Sequence, residues 1–410
     1  MSTWSLLARR QRSNPDGSSR IRLLNVVPTF LCGGTENQFM TLARSLDSRR
    51  FDLEFACLRR WGGFADELEA RQIPLLECDI STFRSLHAVR QQARLARHIA
   101  KSRVDIVHAY SFYGNVFAIP PARVAGAPVV IASIRDRAPY LTARQKRVQR
   151  FMCRFADCVL VNAGAVKEWL VEQGYEPSKI VVIPNGVDLG RFGDLADSNR
   201  IRHELGLPVD DAPVVAVVSR LIRLKGLEQF LEAAVLVGRR FPDARFLIVG
   251  DTNPNDRSYW SVLIELTERL GLSSRVVFAG LRDDVPAVLA SATVSVMPSL
   301  NEALSNVLLE SMAAGAAVVA TRVGGTPEAV DDGVNGLLVE PGDPVALADG
   351  ICRLLADPAL AARLGRAARQ TVWERFSMER MVAATEQLYL QLLERRRPVT
   401  APVSREFACK

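Results

Sequence analysis

The 410-residue sequence predicts an α/β protein made of two doubly wound, parallel-sheet domains that face each other across a cleft. Three observations predict it. Short apolar runs alternate with helix-spaced patterns along nearly the whole chain, as strand–helix–strand units of a parallel sheet require. The alternation breaks once, at a Gly- and Asp-bearing stretch over 185–209 that has no long apolar run, and then resumes. The length exceeds what one α/β core holds.

The elements follow in order. IRLLNVV at 21–27 is a short strand that ends in a Gly-containing loop, and 35–46 has the apolar spacing of a helix. A strand at 51–57 and a helix at 64–72 come next, then an Arg- and Ala-rich helix at 86–101. VDIVH at 104–108 and VVIAS at 129–133 are buried-type strands. Helix 142–155, strand 158–162, helix 165–173 and strand 180–183 complete the first domain. The second has strands at 214–219, 245–249, 276–279, 294–297 and 317–321. Its helices include 227–239, 260–270, 285–290, 306–314 and 345–355, and 378–393 also reads as helical. The expected organisation is a basic, mostly disordered tail (1–19), a first domain (20–190), a second (191–377), a closing helix (378–397) and a loose tail (398–410). Open parallel sheets carry their binding loops at the carboxyl ends of the strands.

Bulk composition narrows the partners. Lys plus Arg number 52 against 45 for Asp plus Glu, a net charge of +7 that suits a phosphate-bearing ligand or an anionic membrane surface. No aromatic-and-basic recognition motif speaks for nucleic acid. The seven cysteines are odd in number and form no CxxC pair, which points to free thiols in a reducing cytosol and to no structural zinc. No apolar run reaches membrane-spanning length, and the first twenty residues lack a secretory pattern. With four His and no HxH or DxD pair in a loop, no catalytic divalent ion is expected.

Two clusters carry the chemistry. In PSLNEALSNVLLESMAAG (298–315) a strand leads to a loop with Glu302 and then to a helix near Asn306 that carries Glu310. The amides of Ala303, Leu304, Ser305 and Asn306 are free donors at that helix start, suited to a diphosphate or to sugar hydroxyls. Glu302 suits sugar hydroxyls and Glu310 a ribose; the plainer alternatives are a capping acid and a solvated helix residue. In VSRLIRLKG (218–226), Arg220 and Lys225 end an apolar strand, where a planar fork and a mobile point charge neutralise a leaving diphosphate. Arg223 reads as an ordinary surface cation. His108 ends a strand in VHAYSFYGN and is either a base or a packing residue; Phe112, Tyr113 and Asn115, in the same loop, suit an acceptor sugar or plain packing. Arg144, Lys146, Arg147, Arg150 and Arg154 share the helix 142–155 with Val148, Phe151, Met152 and Phe155. That is a basic amphipathic pattern for anionic lipid, or a surface helix whose apolar side joins the core.

In order and spacing these clusters resemble the large retaining glycosyltransferase family with the GT-B fold, family 4. IPNGVD at 183–188, Val249-Gly250-Asp251, GGTPE at 324–328, Asn335-Gly336 and Gly33-Gly34-Thr35-Glu36 add to the resemblance, which covers about 21–376. It implies two Rossmann-like domains and a nucleoside-diphosphate sugar, with UDP the family prior, as substrate rather than cofactor. It implies that Arg220 and Lys225 bind the diphosphate, Glu310 the ribose, and Glu302 with the following amides the sugar. Gly33 and Gly34 would lie by the phosphates, where a Cβ would obstruct, and Gly250 by the nucleotide. The expected reaction is transfer to a hydroxyl of a glycan or lipid-linked acceptor, as in surface polysaccharide or glycolipid synthesis; the lipid-linked acceptor and a peripheral place at the inner face of the membrane follow from the anionic-lipid reading of 141–155, and the cytoplasmic location from the free thiols. The departures are Ala303 and Thr252 where the family has Gly, and Arg135 where many members have His; an arginine suits a phosphate or an acceptor but is no base at neutral pH. The competing readings are a nucleotide-sugar epimerase of the same fold and a silent partner subunit.

Overall fold

The computed structural model describes residues 20–396 apart from 32, 194–197, 209–211 and 253–257. The expected tails at 1–19 and 398–410, with Cys32 and Cys409, lie outside the described residues. The five described cysteines are free and buried.

The first sheet has seven strands: β1 (Ile21–Val27), β2 (Phe51–Cys57), β3 (Leu75–Glu77), β4 (Ile106–Tyr110), β5 (Val129–Ser133), β6 (Cys158–Val161) and β7 (Ile180–Val182). The second has six: β8 (Val214–Val218), β9 (Arg245–Val249), β10 (Val276–Gly280), β11 (Val294–Met297), β12 (Ala317–Thr321) and β13 (Leu337–Val339). Their orders are 3-2-1-4-5-6-7 and 10-9-8-11-12-13, and every pairing is parallel. Each order reverses once, between β1 and β4 and between β8 and β11. Those two switch points are where a doubly wound sheet opens a crevice.

The helices differ from expectation in two instructive places. The strand expected at 104–108 is β4, two residues later. Arg103, at φ 49°, closes the helix Leu86–Ser102, and Val104 still donates to the carbonyl of Ile99. The loop expected after His108 is instead the helix Ser111–Val124, which includes Pro120 and Pro121. It buries Phe112, Asn115, Phe117, Ile119 and Ala122. A helix buried on nearly all sides has no amphipathic period to reveal it. β3 and β13, at three residues each, are too short for any period.

The last helix, Met378–Glu394, packs on the first sheet: Met381, Val382, Leu388, Tyr389 and Leu392 join Leu23, Ile106, Ile131 and Leu160 in one buried cluster. Its entry is fixed by two backbone bonds, Val187 to Phe376 and Met378 to Val187. Among the described residues, no helix is long and apolar enough to cross a membrane.

Candidate active site

The β8/β11 switch point assembles the two predicted clusters. After β8 the chain makes a short 3₁₀ turn, Arg223–Lys225, and enters the helix Leu227–Arg240 through Gly226 at φ 67°. A Cβ on Gly226 would stand 1.9 Å from the carbonyl oxygen of Pro298, so glycine alone lets the Lys225 turn close on the Glu302 loop. A backbone bond from Leu300 to Leu224 ties the two loops again. Thr321, at the end of β12, donates to the carbonyl of Ser299 at 2.6 Å and holds the loop from below.

On this frame Lys225 donates to Oε1 of Glu302, and Ser299 Oγ donates to the same oxygen at 2.9 Å. Both charged side chains are largely covered. Ser305 caps the helix Asn306–Ala313 by accepting from the Leu308 amide. The backbone N–H groups of Ala303, Leu304, Ser305 and Asn306 donate to no acceptor among the described residues. Free amides at a helix N-terminus beside a lysine are the donors that an anion requires. Glu310, one turn further along the helix, is 3.6 Å from Arg191 of the junction. Burial pushes its carboxyl up to about 6, against the pull of Arg191.

Arg220 is exposed at the rim, and its guanidinium donates to no side chain among the described residues. Its charge is felt across the cleft. Burial raises the carboxyls of Glu36 and Asp136 on the first domain, and Arg220 works against the rise at both. Gly250 sits beneath this point: at φ 134°, a Cβ there would come within 1.8 Å of the carbonyl oxygen of Ser219. Gly250 therefore serves the close packing of the β8 and β9 ends that positions Arg220. Thr252 and Ala303, which replace family glycines, need no positive φ. Arg223 pairs with Glu228 at 2.9 Å and lies over the ring of Tyr259, as a surface cation does.

The first domain meets this site through side chains. Asn306 Nδ2 donates to the carbonyl of Gly34 at 3.0 Å. Asn306 Oδ1 accepts from Asn185 at 2.6 Å and from Gln38 at 3.2 Å. Asn185 also donates to the carbonyl of Leu304 and accepts from the guanidinium of Arg135. Gln38 clasps the backbone of Gly186 with two bonds of 3.0 Å. Arg135, in the position of the family histidine, is thus a clamp on the domain junction. A Cβ on Gly34 would be an ordinary 3.5 Å from Asn306, whereas one on Gly33 would fall 2.4 Å from the Glu36 carboxylate. A second link comes from Glu328 of GGTPE. Its two oxygens accept from the amides of Gly164 and Ala165, both at 2.8 Å, and so cap a helix of the opposite domain.

His108 stands apart from this group. It is 1% exposed, its Nδ1 lies 2.8 Å from the Tyr389 hydroxyl, and its ring stacks on Tyr110 at 4.2 Å. Burial, with the charge of Arg135 adding to it, drives its pKa down to about 3. The ring is buried and neutral, as the packing alternative requires. Phe112 and Asn115 are buried too, and Asn115 donates to the carbonyl of Ser133. Tyr113 alone of that trio is exposed, stacked on Phe83 with centroids 5.8 Å apart. Asn185 and Glu328 lie within the sequence motifs, but their roles come from contacts across the junction; the only signal for Gln38 is a polar residue on the buried face of a helix.

The two parallel sheets, each with its own switch point, make up the architecture of the GT-B class. Residues 32–191 match the family model described as Glycosyltransferase Family 4, and residues 212–357 that described as Glycosyl transferases group 1. The chain belongs to this family. It is 26% identical over 390 residues to the UDP-Gal:alpha-D-GlcNAc-diphosphoundecaprenol alpha-1,3-galactosyltransferase of Escherichia coli, spanning 92% of this chain and 98% of that one. It is 36% identical over 240 residues to the lipopolysaccharide core biosynthesis glycosyltransferase LpsE of Rhizobium meliloti, or 58% of this chain and 65% of LpsE. The solved structure of Anabaena Alr3699/HepE in complex with UDP superposes with a TM-score of 0.81 at 25% identity, covering 90% of this chain and all of that one.

Proposed function

We infer that the protein moves a sugar, with retention at the anomeric carbon, from a nucleoside-diphosphate sugar to a hydroxyl of a glycan or lipid-linked acceptor. The observation that carries this reading is the Lys225–Glu302 contact beside the free amides of 303–306. The anion site and the sugar-reading carboxylate are thereby one unit. Crystals of the HepE neighbour contain UDP or UDP-glucose, which favours a UDP-sugar donor. The E. coli relative is named for transfer to a sugar on diphosphoundecaprenol, which favours a lipid-linked acceptor.

In this mechanism the residues 191–377 hold the donor and 20–190 the acceptor, with the helix over 378–397 tying the second to the first. Lys225, Arg220 and the amides of Ala303 to Asn306 bind the diphosphate, and Gly33 and Gly34 approach it from the other side. Glu310 accepts from the ribose and Glu302 from the transferred sugar. The bond from the anomeric carbon to the phosphate oxygen breaks, the bond to the acceptor oxygen forms, and the departing phosphate takes the acceptor proton. Charge gathers on that phosphate, where preorganised cations and amides stabilise it most. The two cations do this work without a divalent ion, and no protein base is required. Exposed Tyr113 and Trp61, at the carboxyl ends of β4 and β2, offer faces to an acceptor. The protein works in the cytoplasm, with the segment 141–155 against an anionic membrane.

The test is incubation with UDP-, GDP- and ADP-sugars and a membrane extract, reading free nucleoside diphosphate. Release that needs one donor and the extract, and is lost in Glu302→Ala, supports the transferase. Binding of a donor without turnover points to a silent subunit. Interconversion of the sugar without an acceptor points to an epimerase.

A further inference from the structure

A cavity of about 540 Å³ lies on the first domain, away from the cleft. Asp157 and Lys179 on its wall stand just before β6 and β7, so it opens at the amino ends of the strands, opposite the loops that face the second domain. Its lining includes Arg123, Arg154, Lys179, Arg395 and Arg396, with Asp157 as the single acid. Three helices end beside it. Arg123 lies in the last turn of Ser111–Val124, and Arg154 and Arg395 are the C-caps of Ala143–Cys153 and Met378–Glu394. Cations at helix C-termini have a plain structural use, since each such end carries about half a negative charge. That use does not absorb five of them. Three helix ends and one carboxylate offset about two and a half positive charges and leave about two and a half.

The hydrogen bonds show which cations are spare. Asp157 accepts from the Val130 amide at 2.7 Å, pairs with Arg123 at 2.7 Å and also accepts from Arg396. Arg123 Nε donates to the carbonyl of Phe155 at 2.6 Å, and Lys179 donates to the carbonyls of Arg154 and Ala156. The guanidinium groups of Arg154 and Arg395 donate to no acceptor among the described residues. Both side chains are exposed, one on the first domain and one at the end of the closing helix. Phe155 and Leu392 add an apolar wall. Phe155 is about half exposed and meets the equally exposed Phe151 edge to face at 5.4 Å, so the inward turn expected of these rings does not occur.

We propose that this cavity binds a water-soluble phosphate monoester, with its phosphate between Arg154 and Arg395 and its organic body against Phe155 and Leu392. A monoester carries about two negative charges at neutral pH, which matches the excess, whereas a diester carries about one. Guanidinium forks take phosphate oxygens in pairs. The volume falls within the range of small-molecule pockets. A phosphate held there bridges the first domain to the closing helix. The site is separate from the cleft, and the proposal does not rest on the transferase reading.

Full-length protein is titrated calorimetrically with fructose 6-phosphate. Saturable binding is expected, and it should weaken with salt. It should be about tenfold tighter at a pH of about 7 than of about 5, because the ester takes its second charge near about 6. Arg154→Ala and Arg395→Ala should each weaken it by about tenfold or more. Both side chains are exposed, so the unliganded thermal midpoint of each variant should match the parent's. Arg395→Lys, which keeps the charge and loses the fork, should fall between parent and Arg395→Ala. Lys225→Ala, in the cleft, should keep this binding. Loss in Lys225→Ala with none in the two arginine variants would put the ester in the cleft and overturn the proposal. So would the absence of saturable binding, or equal affinity for fructose without its phosphate. Vesicles of phosphatidylcholine mixed with phosphatidylglycerol form the last arm, and binding to these with none to the soluble ester overturns it as well. Donor turnover is assayed separately. A protein that binds the ester through Arg154 and Arg395 but never turns over leaves this site standing and sinks the transferase reading alone.

Discussion

Lys225 donates to Oε1 of Glu302 across 77 residues of sequence, and Ser299 donates to the same oxygen. The cation proposed to meet the leaving phosphate and the carboxylate proposed to read the sugar thus orient each other. Lys225→Ala and Glu302→Ala are each expected to lower kcat/KM by about a hundredfold or more. Because the two groups act together, the double variant should lose far less than the product of the single losses. Steady-state kinetics of the four proteins decides it; a fully multiplicative loss would mean that the contact is incidental.

Glu310 sets a pH dependence. Burial raises its pKa to about 6, so in the free protein the ionised form dominates only above that value. In the proposed donor site a ribose hydroxyl donates to the ionised carboxylate, so donor KM should rise as pH falls through about 6. Glu310→Gln should raise KM and flatten the profile. A parent profile that is already flat across this range would remove Glu310 from the donor site.

Asn306 is the knot between the domains, with bonds to Gly34, Asn185 and Gln38. Asn306→Ala leaves the buried amides of Asn185 and Gln38 short of a partner, at a cost of about 1–3 kcal/mol. A lower thermal midpoint is expected, together with a larger radius in small-angle scattering as the domains part. An unchanged radius would show that the apolar contacts alone keep the domains together.

Glu328 caps the helix Gly164–Glu172 from the other domain. Glu328→Ala should cost about 1 kcal/mol or somewhat more, because two helix-start amides lose a charged acceptor. Chemical denaturation measures this directly. Amide hydrogen exchange at Gly164 and Ala165 should accelerate; protection at the parent level would mean another group takes over the cap.

The Tyr389–His108 bond gives the converse test. Tyr389→Phe removes one hydrogen bond in a fully buried pair and should cost about 1–2 kcal/mol. Turnover by the folded protein should stay within about twofold of the parent, since His108 is buried and neutral. A large fall in kcat at an unchanged thermal midpoint would return the histidine to the chemistry.

How much of this was legible depends on the range of the signal. Arg220, Lys225 and Glu302 stood out because each lies in the loop that follows a buried strand, and Glu310 because it lies on the helix entered from that loop; a parallel sheet sends every such loop to the same edge. Alternation at short range likewise determined the fold class, the order of most elements and the break near 185–209. Elements without a period escaped, as β3 did for its shortness and the helix Ser111–Val124 for being buried on nearly all sides. The roles of His108, Arg135 and Asn306 were decided only by tertiary structure. Tyr389 lies 281 residues from His108, and Gly34 lies 272 from Asn306. Likewise, periodicity put Phe151 and Phe155 on the apolar side of their helix, whereas packing turned them outward with the arginines. A sequence pattern records which residues share a face of their own element, but burial depends on what other elements cover that face, and those come from distant parts of the chain.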